Sequence, residues 1–170
     1  MPHNPAASAA GPDALERAFD AHHAMVFRTA YRVTGNAADA EDVLQTVFLR
    51  LAGREMAAEI IENPEGYLRR AAVNASLNLL ELRSRKNVPL ESAPEPHAGT
   101  NQRDLREVLR LAMATLGGRT AEMFALRFIE GHSNGEIADM FGVSALVVGV
   151  TLHRARKQLQ KEIKQLGGLK

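Results

Sequence analysis

The amino-acid sequence predicts an all-α protein of two small helical modules joined by a flexible linker, with a helix-turn-helix in the C-terminal module. Apolar residues recur along most of the chain at close to the helical repeat, which is typical of amphipathic helices. Residues 87–101 break that pattern and hold three prolines, so they are predicted to form the linker. The predicted division is a disordered leader at 1–12, modules at 13–86 and 102–170, and the linker between them.

The first module is predicted to contain three helices. They span residues 13–33, 37–52 and 64–86. The second of these has the cleanest amphipathic pattern, because its apolar side chains fall on a single stripe. Asn63 is suited to cap the third helix, whose first residue would be Pro64. Residues 53–62, between the second and third helices, are predicted to form a loop.

The second module is predicted to contain four helices, of which the last two form the helix-turn-helix. They span residues 102–116, 119–130, 134–141 and 144–165. Gly142 supplies the permissive backbone that a tight helix exit needs, and Ser144 is suited to cap the helix that follows. The inward stripe of that last helix is predicted to comprise Ala145, Val148, Leu152, Ala155 and Leu159. Such a unit can place side chains in the DNA major groove, although a helical hairpin inside a bundle has the same pattern.

The composition excludes several classes of protein. Cysteine is absent, so disulfides and thiolate metal sites are excluded and a reducing compartment is indicated. No run of 18 apolar residues occurs, and the N-terminus lacks the features of a signal peptide, so we expect a cytoplasmic protein without membrane insertion. No phosphate-binding loop, dinucleotide fingerprint or zinc-protease motif is present, and the histidines are scattered. We therefore expect no enzyme activity, no metal and no cofactor.

The charge is unevenly distributed, although the net charge is only +1. Residues 37–62 hold six acidic and two basic side chains, whereas residues 144–170 hold six basic and one acidic. This asymmetry indicates one surface for a basic partner and another for a polyanion. Asp39, Asp42 and Gln45 follow at intervals of three residues, so we expect them to share a helix face. A solvated acidic face is the alternative interpretation of that cluster.

Two asparagines lie one helical turn apart in the third predicted helix. The amides of Asn74 and Asn78 offer donors and an acceptor, which suits them to reading the edges of bases. Asparagine is also unfavourable inside a helix, which indicates a function other than helix stability. The basic residues expected to hold phosphates beside them are Arg69, Arg70, Arg83, Arg85 and Lys86. Arg83, Arg85 and Lys86 alternatively serve only to make the end of the helix soluble.

Three segments, in this order, resemble a known family. They are Asp39-Ala-Glu-Asp-Val-Leu-Gln-Thr-Val-Phe48, Tyr67-Leu-Arg-Arg-Ala-Ala-Val-Asn74 and the C-terminal helix-turn-helix. Over residues 13–165 the chain resembles a bacterial sigma factor of the extracytoplasmic-function group in the sigma-70 family. The resemblance implies an initiation subunit that binds core RNA polymerase, through its beta-prime and beta subunits, and directs it to a subset of promoters. An anti-sigma factor is a further expected partner.

The resemblance also implies a role for each cluster. In the family the acidic segment docks on a coiled coil of the beta-prime subunit, which assigns polymerase binding to Asp39, Glu41, Asp42 and Gln45. The helix with Asn74 and Asn78, together with its basic neighbours, is assigned to the promoter −10 element. The residues assigned to the −35 element are Ser144, Leu146, Val147, Val150, His153, Arg154 and Lys157. The loop at 53–62 corresponds to a pocket for a flipped-out base, but it has no aromatic residue, so its contacts are left unassigned.

The outer face of the last helix departs from the family. Typical members carry polar or basic residues around the positions of Gly149, Val150 and Thr151, where this chain is mostly apolar. Three explanations stay open: contacts with thymine methyl groups, coverage by a protein, or weak −35 binding in which the basic tail holds phosphates. Two other functions also fit, namely a stand-alone regulator that binds duplex DNA without polymerase and a helical protein-interaction module that binds no DNA.

Overall fold

The computed structural model describes residues 12–53, 62–85 and 108–165. Its helices are α1 (Pro12–Thr34), α2 (Ala37–Ala52), α3 (Pro64–Arg85), α4 (Gly118–Phe128), α5 (Asn134–Phe141) and α6 (Ala145–Gln165); residues 108–114 are also helical. No strand occurs within these ranges, which confirms the predicted all-α fold. The predicted linker, nearly all of the leader and most of the loop at 53–62 lie outside the described residues.

Helices α1, α2 and α3 form the N-terminal module around one apolar cluster. The most deeply buried members are Val26, Ala30, Ala40, Val43, Leu68 and Ala72. Asn36 caps α2, since its side-chain oxygen accepts from the backbone N–H groups of Ala38 at 2.8 Å and Asp39 at 3.2 Å. The predicted cap of α3 is confirmed, because Asn63 Oδ1 accepts from the backbone N–H of Gly66 at 2.9 Å.

In the C-terminal module, residues 108–165, α5 and α6 form the predicted helix-turn-helix. Their axes bend by 106° at the turn, within the range of this motif. Gly142 ends α5 with a left-handed φ of 61°, and Ser144 Oγ accepts from the backbone N–H of Val147 at 3.3 Å. A capping box that the sequence analysis missed begins α5, where Ser133 and Glu136 each accept a hydrogen bond from the other's backbone N–H.

The two modules pack against each other. The apolar cluster of the C-terminal module, with Met123, Leu126 and Ile137 fully buried, also includes Val33 of α1 and Val73 of α3. A polar contact accompanies this packing, because the Arg110 guanidinium donates to the backbone carbonyl of Thr34. The sequence patterns predicted neither contact, so the arrangement of the modules is a finding of the structure.

Among the described residues, no single helix is long and apolar enough to cross a membrane, and the bent pair of α5 and α6 meets the length and composition criteria only when counted together.

Candidate polymerase and nucleic-acid interfaces

The exposed face of α2 carries three of the four residues predicted to bind polymerase. Glu41, Asp42 and Gln45 are exposed, whereas Asp39 is completely buried. The prediction that Asp39 shares their face is therefore wrong. Residues three apart differ by about 60° around a helix axis, and this drift turns Asp39 from the solvent face toward α3.

Asp39 instead forms an ion pair inside the N-terminal module. Its carboxylate accepts from Arg83 Nη1 of α3 at 2.7 Å and also contacts Nη2. Burial raises the pKa of Asp39, and the nearby Arg83 guanidinium opposes that shift. Arg83 was predicted to hold a DNA phosphate. In the structure it forms the ion pair with Asp39 that joins α3 to α2. The side chains of Arg85 and Lys86 lie outside the described part of the chain.

The remaining predicted −10 residues lie together on α3. Asn74 and Asn78 are both exposed, and Asn78 Nδ2 donates to Asn74 Oδ1 at 2.9 Å. Both amides line a cleft of about 780 Å³ between the modules, together with Leu77, Leu109 and Met113. The base-reading candidates therefore lie where the two modules meet, and Asn74 also bonds the Glu122 carboxylate of the C-terminal module.

Arg69 joins the two modules through a buried carboxylate. Glu130, just beyond the end of α4, has no exposed side-chain surface. Its carboxylate accepts from Arg69 Nη1 at 3.2 Å, from Thr29 Oγ1 at 2.9 Å and from Arg32 Nη1 at 3.4 Å. Arg69 also pairs at 2.6 Å with Glu65 on its own helix, and this hydrogen bond lowers the pKa of Glu65. Three side chains of the N-terminal module thus hold one carboxylate of the C-terminal module.

Arg70 makes a second set of contacts between the modules. Its Nε donates to Glu122 Oε1 at 3.3 Å, and its Nη1 donates to the backbone carbonyl of Met140 at 2.7 Å. The guanidinium also lies over the ring of Phe141, 4.0 Å from its centroid. Burial raises the pKa of Glu122, and Arg70 opposes the shift. The sequence gives no sign of the roles of Glu122 and Glu130, because no local pattern relates them to arginines more than fifty residues away.

Helix α6 and the residue before it, Ser144, present the predicted −35 residues to solvent. Ser144, Leu146, Val147, Val150, His153, Arg154 and Lys157 are all exposed. On the inward stripe, Val148, Leu152, Ala155 and Leu159 are buried as predicted, but Ala145 is exposed. As the first residue of α6, Ala145 lies at the edge of the turn rather than over the core. The exposed start of α6 is apolar, with Leu146 76% exposed.

Comparison with known proteins assigns a family to each module. The family model for Sigma-70 region 2 matches residues 18–87, and that for Sigma-70, region 4 matches residues 106–159. The RNA polymerase sigma-E factor of Streptomyces coelicolor is 33% identical over 140 residues, which cover 81% of this chain and 79% of that protein. The ECF RNA polymerase sigma factor SigL of Mycobacterium tuberculosis is 28% identical over 171 residues, covering 94% of this chain and 95% of SigL.

Among solved structures, the sigma factor RpoE of Bartonella quintana, in complex with the anti-sigma factor NepR, aligns with a TM-score of 0.49 and 20% identity. The alignment covers 88% of this chain and 96% of that one.

We predict that Gly149→Ala stabilises the chain by about 0.5–1 kcal/mol, because glycine is a poor residue inside a helix. A Cβ at this position would lie 3.6 Å from Asn134 Nδ2, an ordinary contact distance. The measurement is urea unfolding followed by circular dichroism. Gly142→Ala is the matched control and should destabilise, because its φ of 61° is left-handed. A loss of stability in Gly149→Ala would show that the contact with Asn134 requires a glycine.

Proposed function

Since the chain belongs to the extracytoplasmic-function sigma factors of the sigma-70 family, we propose that surfaces on α2, α3 and α6 carry its contacts with polymerase, the −10 element and the −35 element, respectively. As an RNA polymerase sigma factor, the chain binds core RNA polymerase and directs initiation at promoters. The ordered matches of both modules to sigma-70 regions 2 and 4 carry this conclusion. Sigma factors are not an enzyme class, and we propose that this chain catalyses no reaction itself. We also propose that it acts in the cytoplasm and that an anti-sigma factor is a further partner.

The proposed polymerase surface is the solvent face of α2. It consists of Glu41, Asp42 and Gln45, which are exposed and are free of the ion pair that holds Asp39. Acidic side chains at the rim of an interface favour a basic partner helix and speed its association. The coiled coil of the beta-prime subunit is the proposed partner for this face.

We predict that Asp42→Arg weakens association with core polymerase roughly tenfold, since a charge reversal at an interface replaces attraction by repulsion. The measurement is a titration of labelled full-length chain with purified core enzyme. Asp20→Arg is the matched control, because it makes the same charge change at an exposed position of α1. Equal affinity of the Asp42→Arg and control proteins would remove α2 from the proposed interface.

The proposed −10 surface is the face of α3 that carries Asn74 and Asn78. Their exposed amides can bond base edges, and Arg69 and Arg70 lie on the same helix, where they can hold phosphates. Exposure supports this role for the amides. In the described structure Asn78 donates to Asn74, and Asn74 bonds the Glu122 carboxylate, so both amides would exchange these partners for base edges.

We predict that Asn74→Ala reduces discrimination between matched and mutated −10 elements about tenfold, the scale of one good base contact. Binding to core polymerase should stay unchanged. Holoenzyme binding to the two promoters, measured beside the core titration, checks this. Leu82→Ala, at a position of α3 that is 54% exposed, is the control. A parallel fall in both measurements would make Asn74 a structural residue.

We also propose that the described arrangement is a closed state that must open before the −10 element binds. Arg69 and Arg70 are occupied by Glu130 and Glu122. A guanidinium presents the same fork of donors to a carboxylate and to a phosphate. The two glutamates therefore compete with DNA for the same side chains. Promoter phosphates, or polymerase holding the modules apart, would shift the equilibrium toward the open state.

We predict that Glu130→Gln favours the open state roughly tenfold, because it removes a charge that supports hydrogen bonds from Arg32 and Arg69. The chain has no cysteine, so dyes placed on Ala38→Cys and Lys161→Cys, both exposed positions, report the distance between the modules by energy transfer.

Glu65→Gln is the matched control for this experiment, because the ion pair between Glu65 and Arg69 lies within α3. The expected result is a longer mean distance in Glu130→Gln and an unchanged one in Glu65→Gln. Identical distances in all three proteins would refute the closed state.

A further inference from the structure

The cleft between the modules has the size and the lining of a small-molecule site. Its volume of about 780 Å³ lies within the range of about 300–1,000 Å³ that such sites occupy. Val33, Leu77, Leu109 and Met113 give it an apolar lining. The first two belong to the N-terminal module and the last two to the C-terminal module, so the cleft is complete only while the modules are packed together.

Asn78 gives the cleft a hydrogen-bonding group that suits a base edge. Its side chain lines the cleft, and one of its amide N–H groups donates to Asn74 Oδ1. Within the described part of the chain, its carbonyl oxygen and its second N–H have no other hydrogen-bond partner. An asparagine amide that offers one acceptor beside one donor pairs with adenine, whose exocyclic amino group donates and whose ring nitrogen N7 accepts.

Two further side chains of the lining suit the rest of a nucleotide. The ring of Tyr31 is 48% exposed and offers a surface on which a base can stack. The Arg32 side chain is 52% exposed and donates to Glu130 through Nη1, which leaves N–H groups of the same guanidinium for a phosphate. The charged residues of the lining are Arg32, Arg110 and Glu81, and the excess of positive charge favours an anionic ligand.

We propose that the cleft binds an adenine nucleotide, with the base edge on Asn78, the ring against Tyr31 and the phosphate at Arg32. The proposal rests on the proposed closed state, because the walls of the cleft come from both modules. A nucleotide bound there stabilises the closed arrangement and opposes opening. We therefore expect the chain to bind its promoter less readily when the nucleotide is abundant.

The test compares AMP with IMP on the unaltered full-length chain by isothermal titration calorimetry. IMP carries a carbonyl oxygen in place of the exocyclic amino group, so it lacks the donor that the Asn78 carbonyl would accept. We expect IMP to bind about tenfold more weakly than AMP, the scale of one good base contact. Adenosine, which lacks the phosphate, should bind about threefold more weakly, the scale of an exposed ion pair. No binding of AMP, or equal affinities for AMP and IMP, would overturn the proposal.

A pair of variants tests the role of the amide. Asn78→Ala should lose the preference for AMP over IMP, because the group that distinguishes the two bases is gone. Asn78 is exposed, so this truncation leaves the fold intact. Leu82→Ala, on the same helix and outside the cleft, is the matched control and should keep the preference. A preference that survives in Asn78→Ala would contradict the assigned base contact.

A strand of promoter DNA also presents adenine and phosphate, and the distance between the modules distinguishes the two sources. In the Glu130→Gln protein with dyes on Ala38→Cys and Lys161→Cys, saturating AMP should shorten the mean distance toward that of the unaltered protein. A single-stranded DNA that needs the open state should lengthen it. An unchanged or longer distance with AMP would sink the proposal.

The binding of AMP requires no polymerase, so this proposal and the proposed function can fail separately. A chain that binds core polymerase and initiates at promoters, but does not bind AMP, overturns only the nucleotide site. A chain that binds AMP but not core polymerase overturns only the proposed function.

Discussion

A carboxylate with no exposed surface, that of Glu130, lies where α1, α3 and the end of α4 meet. A charge removed from water must be paired, and the cost of leaving it unpaired is several kcal/mol. Thr29, Arg32 and Arg69 provide that pairing from the N-terminal module. The packing of Val33 and Val73 against the C-terminal core accompanies it. The described arrangement of the modules therefore depends on satisfying this one group.

The same interaction links structure to function. Arg69 and Arg70, which pair with Glu130 and Glu122, belong to the helix proposed to bind the −10 element, so in this proposal closure and promoter binding use the same donors. Arg69 keeps a second partner in Glu65, whereas Thr29 and Arg32 are engaged from α1. In the proposed opening, Arg69 and Arg70 exchange internal ion pairs for contacts with DNA.

Structural features that depend on neighbouring residues could be predicted from the sequence, whereas contacts between residues far apart in the chain could not. The amphipathic period, Asn63 before Pro64, and the turn at Gly142 and Ser144 depend on neighbours in the chain, and the structure confirms them. The helix face of Asp39 was predicted wrongly. Residues three apart are not exactly aligned around a helix, and the partner of Asp39, Arg83, is 44 residues away in the chain. Glu122 and Glu130 carry no local signal, since their roles arise only when the modules meet.

The exposed start of α6 has a consequence for how such a protein evolves. Leu146 is 76% exposed, whereas Val147 and Val150 are a little less than half exposed. The Ser133 and Ser144 hydroxyls, which accept from backbone N–H groups, and the left-handed Gly142 set the frame that orients these side chains. Substitution of Leu146 is therefore expected to be nearly neutral for stability. With the roles proposed for α6 and α2, a single change at Leu146 can alter promoter preference without loss of the fold or of the polymerase surface.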